Sequence, residues 1–546
     1  DSAQIMNAQN FNTPHIAIKN AAITGKGASQ LNVSATDESG LTTIGFGTSL
    51  ALGKPAVNGA AAVGLANRDV TAGISGSTLT NMAGGANVKA STDGDFSTTA
   101  AVVSVGESVA AGVGVAVTRD NTHTTSTFSG GSFTGGSFAI DANSHSDITT
   151  VGVGGGVNYG SGLGLAGSVA VNTIGTETKA LVNGGAKVSA TQSPSVTAAS
   201  DEKIANYAGA LSISAEGAAI GASVSVNEID SETEAAIEGA GTEVGASADT
   251  KNSATDTVDD KNILNNFVDK DSFDSAASLK DSRQAKNYNG ILVDASATHT
   301  MKSFLVNVGG TGEGAAVNGT VNVNLIGGST KAKVENAKVN SGKNDKSGVN
   351  VIAHDYTNSA GIVGTANLAG IGAAVGLGSD TNKVARTTEA SLVGPAAKYD
   401  LNANDVNIEA KSRQGIASLA AGGSVAGEGA GISAATTPVA LIILGASFKL
   451  GSSHDHLPQL TAALLSRLLI VPGIMIALAV YMGFRGVDLV TLLAVFATPC
   501  AVASFAMAQQ MDSDADLAGN CVVFTSALSC FTIFCWILFF KTIEIF

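Results

Sequence analysis

Few side chains in this chain have the types and spacing that metal binding or catalysis requires. His454 and His456, in the run HDH, could both bind a metal ion, but two histidines in a polar loop are far more often solvated. Asp512, Asp514 and Asp516 resemble the start of a calcium loop. The glycine and the closing glutamate of such a loop are missing, which favours a turn at a membrane surface. We therefore predict no metal site.

Motifs for nucleophilic or phosphate chemistry are absent from the sequence. It contains no G-x-S-x-G elbow and no G-x-x-x-x-G-K-[ST] loop. Glycine runs such as GVGGGVNYGSG match dinucleotide fingerprints loosely and lack a βαβ context, so we interpret them as turns. Because the 7 histidines form no recurring acid–base pair, the sequence predicts a protein that is not an enzyme and holds no cofactor.

Charge and cysteine distribution limit the partners and the compartment. The formal net charge of −15 at pH 7 disfavours nucleic acid and anionic lipid as partners. The four cysteines (Cys500, Cys521, Cys530 and Cys535) all lie in the last 50 residues, and the long cysteine-free part suits an exported bacterial protein. The chain begins at Asp1 without a signal segment, so we interpret it as a fragment or a processed product.

One repeat of about 55 residues accounts for residues 1–435. An alanine that ends a β-like triplet recurs at intervals of 55, 52, 56, 97, 58 and 57 residues. These anchor alanines are Ala35, Ala90, Ala142, Ala198, Ala295, Ala353 and Ala410. The motif EGAA or EGAG follows three anchors after 18 residues, at Glu216, Glu313 and Glu428. An asparagine follows four anchors after 29 or 30 residues, at Asn172, Asn227, Asn324 and Asn382.

The alternation within each repeat predicts strands. Runs such as SVAVN, SVSVN and TVNVN alternate with period two, which is typical of strands with one buried face. Short strands, turn residues and a fixed period predict an all-β repeat solenoid of the β-helix type, with stacked hairpins as the alternative. The recurring asparagine could form a ladder of stacked side-chain amides, or it could cap a turn.

The interval of 97 residues contains a polar insertion at 250–288. It is acidic, with a short apolar cluster at Ile263, Leu264 and Phe267. Long insertions in one coil are often binding loops, but this composition favours a disordered excursion.

After residue 436 the period-two pattern ends and long apolar segments begin. Segments 468–484, 489–507 and 521–540 are uncharged over lengths close to the ~20 residues that cross a bilayer as a helix. A shorter apolar piece, 439–448, suggests part of a fourth helix. We predict three to four transmembrane helices in residues 436–546, with the lipid bilayer as their partner. Pro499 in the middle of the second segment breaks or kinks that helix.

The repeats resemble those of large filamentous adhesin and autotransporter-like surface proteins of Gram-negative bacteria. The runs GAAIGASVSVN and GEGAAVNGTVNVN, each followed by the strand that leads to the next anchor, carry this resemblance. It implies a passenger domain that is exported to the cell surface and contacts host or neighbouring cells. It implies no particular ligand.

The C-terminal part resembles the end of auxin efflux carrier family permeases. The resemblance rests on TTPVALIILGASFKL, LLSRLLIVPGIMIALAVYMGFRG and LLAVFATPCAVASFAMAQQM. It implies an inner-membrane transporter of two inverted five-helix halves, of which about the last third is represented. Pro499 would mark the crossover of the penultimate helix, with Thr498 and Ser504 as polar contacts of the transport site. Because transport needs both halves, this chain alone is not expected to transport.

The two parts meet within residues 428–439, EGAGISAATTPV. The seventh repeat should continue from Glu428 as an alternating strand that ends in asparagine, but the permease-like sequence begins instead. A surface solenoid must leave the cytoplasm, whereas helices of this type stay in the inner membrane. We therefore interpret the chain as an artificial fusion. The alternative is a true membrane transport protein that carries an extracytoplasmic repeat domain.

Overall fold

The computed structural model of the chain describes residues 2–247, 251–256, 284–340, 347–394, 401–436 and 466–481, with single positions at 459, 461, 463, 464, 520, 521, 524, 525, 532 and 536. The chain divides into two compact units, Asp1–Thr436 and Thr437–Phe546. We refer to the first as the repeat unit and to the second as the C-terminal unit.

The repeat unit consists of strands, several of which are very long. The strands are β1 (Ser2–Asn12), β2 (His15–Lys19), β3 (Ala22–Thr24), β4 (Gln30–Leu50), β5 (Ala56–Met82), β6 (Gly85–Gly106), β7 (Val109–Gly135), β8 (Phe138–Asn183), β9 (Lys187–Ala190), β10 (Ser195–Glu238), β11 (Glu243–Ala246), β12 (Lys251–Asp256), β13 (Gln284–Asn289), β14 (Ile291–Glu335), β15 (Lys338–Val339), β16 (Val349–Val393) and β17 (Val406–Thr436). β8 has 46 residues and β10 has 44, against five or six in an average strand. One strand therefore runs through most of a repeat.

Neighbouring repeats pair in parallel. β10 pairs with β8 on one side and with β14 on the other, and β14, β16 and β17 continue the order. The seven anchor alanines form one register column from Ala35 to Ala410, each paired with the next. The repeat unit is mostly parallel β-sheet, which is consistent with the predicted β-solenoid. Stacked hairpins would require antiparallel neighbours, which does not match this pairing.

Each full repeat is a flattened coil with two facing legs. In β10 the outbound leg, 195–214, and the return leg, 219–238, are joined by a turn at Glu216 and Gly217. The Oγ of Ser200 lies 2.7 Å from Oγ1 of Thr233, and the Asn206 amide donates to the hydroxyl of Ser225. Similar contacts between facing legs join Thr92 with Thr124 at 2.9 Å and Ser303 with Asn324 at 2.8 Å, so side chains from the two legs fill a shared interior.

Stacked glycines make this turn possible. Gly217, Gly314, Gly372 and Gly429 pair in successive coils and have φ between +119° and +143°, a region that other residues rarely adopt. A Cβ built on each of the last three would overlap the carbonyl oxygen of the glycine in the preceding coil. The EGA motif in three of these coils, and Ile371-Gly372-Ala373 in the fourth, therefore supply a glycine where coils approach too closely for any side chain.

Each coil has an apolar interior at the end far from this turn. A column of valines, isoleucines and alanines runs through the whole stack there, and it includes Val33, Ile140 and Val351. Phe128 and Phe138 pack edge to face with their ring centroids 5.2 Å apart. This continuous core is the main source of stability, because each repeat buries its apolar side chains against its neighbours.

The recurring asparagines form a ladder inside the stack. The Nδ2 of Asn172 donates to Oδ1 of Asn227 at 2.7 Å, Asn227 donates to Asn324 at 2.9 Å, and Asn324 donates to Asn382 at 2.7 Å. Of the two readings that the sequence left open, the amide ladder is therefore correct and the turn cap is wrong. Buried amides of this kind are stable because each is paired.

Removal of one step of the ladder should be measurable. Asn227→Ala is expected to destabilise the repeat unit by about 2 kcal/mol, because the amides of Asn172 and Asn324 lose a buried partner. Asn121→Ala is the matched control, because that exposed asparagine bonds Asn67 at the surface and its loss should cost less than about 0.5 kcal/mol. Urea unfolding followed by circular dichroism gives both values. Equal effects for the two variants would contradict a structural role for the ladder.

The predicted insertion begins and ends in a small antiparallel sheet. β12 pairs with β13 from Lys251 opposite Asn289 to Asp256 opposite Gln284. The apolar cluster at Ile263, Leu264 and Phe267 lies outside the described residues. The choice between a binding loop and the disordered excursion that the composition favours is therefore untested.

In the C-terminal unit the structure describes one continuous helical segment. A π-helical turn, Ser466–Ile470, leads into helix α1, Val471–Tyr481, and the indole Nε1 of Trp536 donates to the carbonyl of Leu468 at 3.1 Å. Within the described part of the chain, none of the helices has the length and apolar character needed to cross a membrane. Of the predicted transmembrane segments, 439–448 and 489–507 lie outside the described residues, and only single positions of 521–540 are described.

Candidate functional site

The residues that the sequence analysis considered for binding lie outside the described part of the chain. This holds for the transport residues Thr498, Pro499 and Ser504, and for the HDH and aspartate runs at 454–456 and 512–516. Their roles stay predictions. The polar clusters described below all lie in the repeat unit.

A polar groove crosses four successive coils on the outer face of the return legs. It has a volume of about 360 Å³ and is lined by Asn121, His123, Gly175, Thr176, Glu177, Asp230, Glu232, Gly328 and Ser329. Gly175 pairs with Asn121 on one side and with Asp230 on the other. Because glycine has no side chain, a depression forms between these two polar residues. His123, Glu177, Glu232 and Ser329 form the next register column.

Charges in and around the groove are arranged in pairs. The Nε2 of His123 lies 3.5 Å from Oε2 of Glu177, and the Nζ of Lys179 bridges Glu177 and Glu232. Lys331 reaches Glu232 at 3.8 Å. Burial lowers the pKa of Lys179, but the hydrogen bond with Glu177 and the charge of Glu232 outweigh it and raise the pKa above its usual value. The groove can therefore bind a polar ligand through carboxylate, amide and imidazole groups.

A second cluster on the outbound legs has the residue types of a cation site. Ligand atoms of Asp95, His145 and Asp147 all lie within 4.8 Å of one another. His145 also lies 3.5 Å from Asp201, and Lys203 lies 3.9 Å from Asp147 and competes with a cation for it. Burial raises the pKa of Asp147, partly offset by Lys203 and His145 and reinforced by Asp95. A divalent ion would have to displace the lysine, so these residues serve first as a surface charge network.

Ionisable side chains also occur inside the stack. The Nε2 of His299 lies 3.1 Å from Oε2 of Glu202, and its Nδ1 lies 4.0 Å from Asp355. Asp355 accepts a hydrogen bond of 2.7 Å from Nε of Arg386. All four side chains are fully buried. Because Glu202 and His299 belong to adjacent coils and Asp355 to the next, this buried cluster ties three coils together.

The other end of the stack has a matching arginine. Arg68 is fully buried, donates to Asp120 at 2.7 Å and lies 5.2 Å from the ring centre of Phe96. Arg68 and Arg386 occupy the same register column, at its second and last positions, after Asn12 and with Thr122 among the small residues between them. The sequence analysis missed both arginines. Their signal was a charged residue at an inward position of a period-two pattern.

Stability should fall in acid because of Asp355. Burial raises the pKa of this carboxyl, but the charges of His299 and Arg386 outweigh it, so the pKa lies below the ordinary value of 3.8. A lowered pKa gives stability that is complete above 3.8 and is lost as the pH falls through the folded-state value. We expect the urea midpoint to drop as the pH falls below the ordinary value of 3.8 toward the lower folded-state pKa, and to drop less in Asp355→Asn. Identical pH profiles for both proteins would contradict this.

Comparison with known proteins finds one family. Residues 430–537 match the model of a family described as membrane transport protein. No curated protein matches the chain, and no solved structure matches it. The match supports the predicted likeness of the C-terminal part to auxin efflux carrier permeases. It begins at Ala430, inside β17, so the transporter-like sequence and the last strand overlap over 430–436.

Proposed function

We propose that the repeat unit is a non-enzymatic binding scaffold of the adhesin type, exported to the cell surface, where it contacts host or neighbouring cells. The polar groove carries this proposal. It is built from four successive coils, so its shape depends on the stacking of the repeats. His123 pairs with Glu177, and Glu177 and Glu232 pair with nearby lysines, an arrangement that suits recognition of a polar surface better than proton transfer during a reaction.

Binding of the full-length chain to cells tests the scaffold proposal. Labelled chain is incubated with epithelial cells and with neighbouring bacteria, and bound label is measured by flow cytometry. The double variant Glu177→Gln, Glu232→Gln is expected to bind at least about tenfold more weakly, because the groove loses two charged acceptors. Glu243→Gln is the matched control, because Glu243 also pairs with two lysines, Lys187 and Lys338, but lies outside the groove. Equal loss in both, or no binding by the parent chain, would argue against the proposal.

For residues 436–546 we propose a partial transporter domain of the inner membrane, joined to the repeats by an artificial fusion. The support is the overlap at 430–436, where the family match starts within a strand of the repeat unit. Thr498, Pro499 and Ser504 would then be remnants of a transport crossover. Mass spectrometry of the source cells should find no peptide that spans 430–445. Long sequencing reads across the codons for 434–438 should show two separate genes. A single continuous reading frame would contradict the proposal that the join is artificial.

The family match also favours a second candidate, a true membrane transport protein with an extracytoplasmic repeat domain. By resemblance, such a transporter needs two helical halves, so a companion chain has to supply the other half. A neighbouring gene for these helices, and transport in vesicles that contain both products, would support this candidate. Transport by neither product nor their mixture would exclude it.

A further inference from the structure

Next to the glycine turn, the outbound legs carry large apolar side chains on their outer face, although the interior there also buries Leu305 and Val363. In β10, Tyr207, Leu211 and Ile213 point outward and are 42%, 41% and 38% exposed. The residues between them, such as Ser212 and Ser214, are buried and hydrogen-bonded inside the coil. Large apolar side chains on the outer face are unusual in water, where the apolar face of a strand normally packs on the core.

The same exposure of apolar side chains recurs along the stack. The outer face of the outbound legs beside the turn, which we call the apolar belt, also exposes Phe46, Val103, Val153, Val308 and Leu419. Val103, Gly155, Leu211 and Val308 are successive members of one register column. The column therefore carries large apolar side chains at three of these four positions and none at Gly155.

The belt is uncharged between two charged borders. From Lys203 to Glu228 the sequence contains one charged residue, Glu216 at the turn, and from Lys302 to Lys331 the single one is Glu313. Scattered apolar side chains on a surface need no explanation, but a continuous uncharged apolar patch marks an interaction site.

Its dimensions suit contact with another protein. The strip 206–214 is nine residues long, or roughly 30 Å as a strand, and seven outbound legs at ~4.8 Å spacing extend over roughly 34 Å. The resulting footprint of roughly 1,000 Å² is close to the ~800 Å² per partner of a stable protein interface.

The glutamates at the turns favour a protein over lipid as the partner of the apolar belt. Glu107, Glu216, Glu313 and Glu428 are exposed along the rim of the belt. Insertion of this half of the coils into hydrocarbon would carry these carboxylates into or across the bilayer, which costs a few kcal/mol for each. Contact between two flat apolar faces leaves the same carboxylates in water at the rim of the interface.

We propose that the apolar belt is an interface through which the repeat unit binds a second copy of this chain, face to face. A self-complementary flat patch of this kind gives a twofold dimer in which each copy contributes the same residues. Two facing sheets ~10 Å apart would bury Leu211 and Val308 in both partners. This inference rests on the burial pattern alone and is independent of the proposed adhesin function.

Sedimentation of the full-length chain in a density-matched non-ionic detergent tests the interface. The double variant Leu211→Lys, Val308→Lys places charges on one register pair of the belt and is expected to weaken self-association at least tenfold, roughly 1.4 kcal/mol or more. The control Val224→Lys, Val321→Lys makes the same change on a register pair of the return legs, whose outer face is also apolar, and should leave association unchanged. A monomeric parent chain, or a loss of association in the control alone or in both variants, would overturn the proposal.

Two further measurements keep the test decisive if the double variant fails to fold. Leu211→Cys should give a disulfide-linked dimer on oxidation above the background of the parent chain's own cysteines, whereas Val224→Cys should not. Flotation with phosphatidylcholine vesicles reports lipid binding. If a fluorophore on Leu211→Cys is shielded from an aqueous quencher by vesicles and not by a second copy, the occupant is lipid and the proposal is wrong.

Discussion

Gly314→Ala is expected to destabilise the repeat unit by at least about 3 kcal/mol, among the largest effects of any single substitution at its surface. Gly314 has φ +121°, which a residue with a Cβ adopts only under strain. The new Cβ would also lie inside the 3.0 Å that real Cβ atoms keep, against the carbonyl oxygen of Gly217 in the preceding coil. This obstacle is backbone, and it cannot rotate away as a side chain would.

Gly319→Ala provides the control for this prediction. Gly319 lies in the return leg of the same coil, and a Cβ there meets no atom within 4 Å. Alanine at this position should be neutral or stabilise by about 0.5 kcal/mol, because it reduces the freedom of the unfolded chain. Urea midpoints of both variants, with hydrogen exchange of the coils around the turn, give the comparison. A Gly314→Ala protein as stable as Gly319→Ala would show that the turn is not constrained as described.

Arg386→Met is expected to destabilise the repeat unit by about 3–5 kcal/mol. The guanidinium donates to Asp355 at 2.7 Å and also to the carbonyl oxygens of Ser231 and Gly327 in the two preceding coils. Methionine fills similar space but leaves a buried carboxylate and two buried carbonyls without a charged donor. Because these acceptors belong to three coils, unfolding should begin at the C-terminal end of the stack, where hydrogen exchange can detect it.

Lys338→Met separates the effect of burial from that of charge. Lys338 lies 3.7 Å from Glu243 with 43% of its side chain exposed, so the loss of this pair should change stability by less than about 0.5 kcal/mol. The double variant Arg386→Met, Asp355→Asn should be less destabilised than the sum of its single variants, because the uncompensated charge is removed. Additive effects would indicate that the two residues act separately.

The repeat could be predicted because its period can be measured along the sequence alone. Parallel stacking pairs each residue with its equivalent one repeat away, so anchors spaced along the sequence from Ala35 to Ala410 become neighbours in one column. The asparagine ladder follows from the same rule, as Asn172 and Asn227 were already aligned by their distance from an anchor. The glycine of the EGA motif was visible as a repeat, but its left-handed backbone was not.

The polar groove and the buried cluster could not be predicted in this way. His123 and Glu177 come together by stacking. The groove also depends on Gly175, whose lack of a side chain leaves a depression only because longer polar side chains flank it in the structure. Arg386 and Asp355 are 31 residues apart and lie on opposite legs of a coil. Contacts between the two legs of a coil depend on where the chain turns within the repeat. The repeat period does not show the position of that turn.

The sequence by itself determined the repeat length, the strand character and the register in which coils pair, along with the transporter-like C-terminal part. The tertiary structure decided which side of each strand is the inside. Alternation with period two shows that the two faces of a strand differ, but the inward face is set by the leg that packs opposite. Far from the turn, two apolar faces meet and exclude water around Ile140. Beside the turn, Asn206 and Ser225 meet instead, their hydrogen bonds occupy the interior, and Leu211 is left outside.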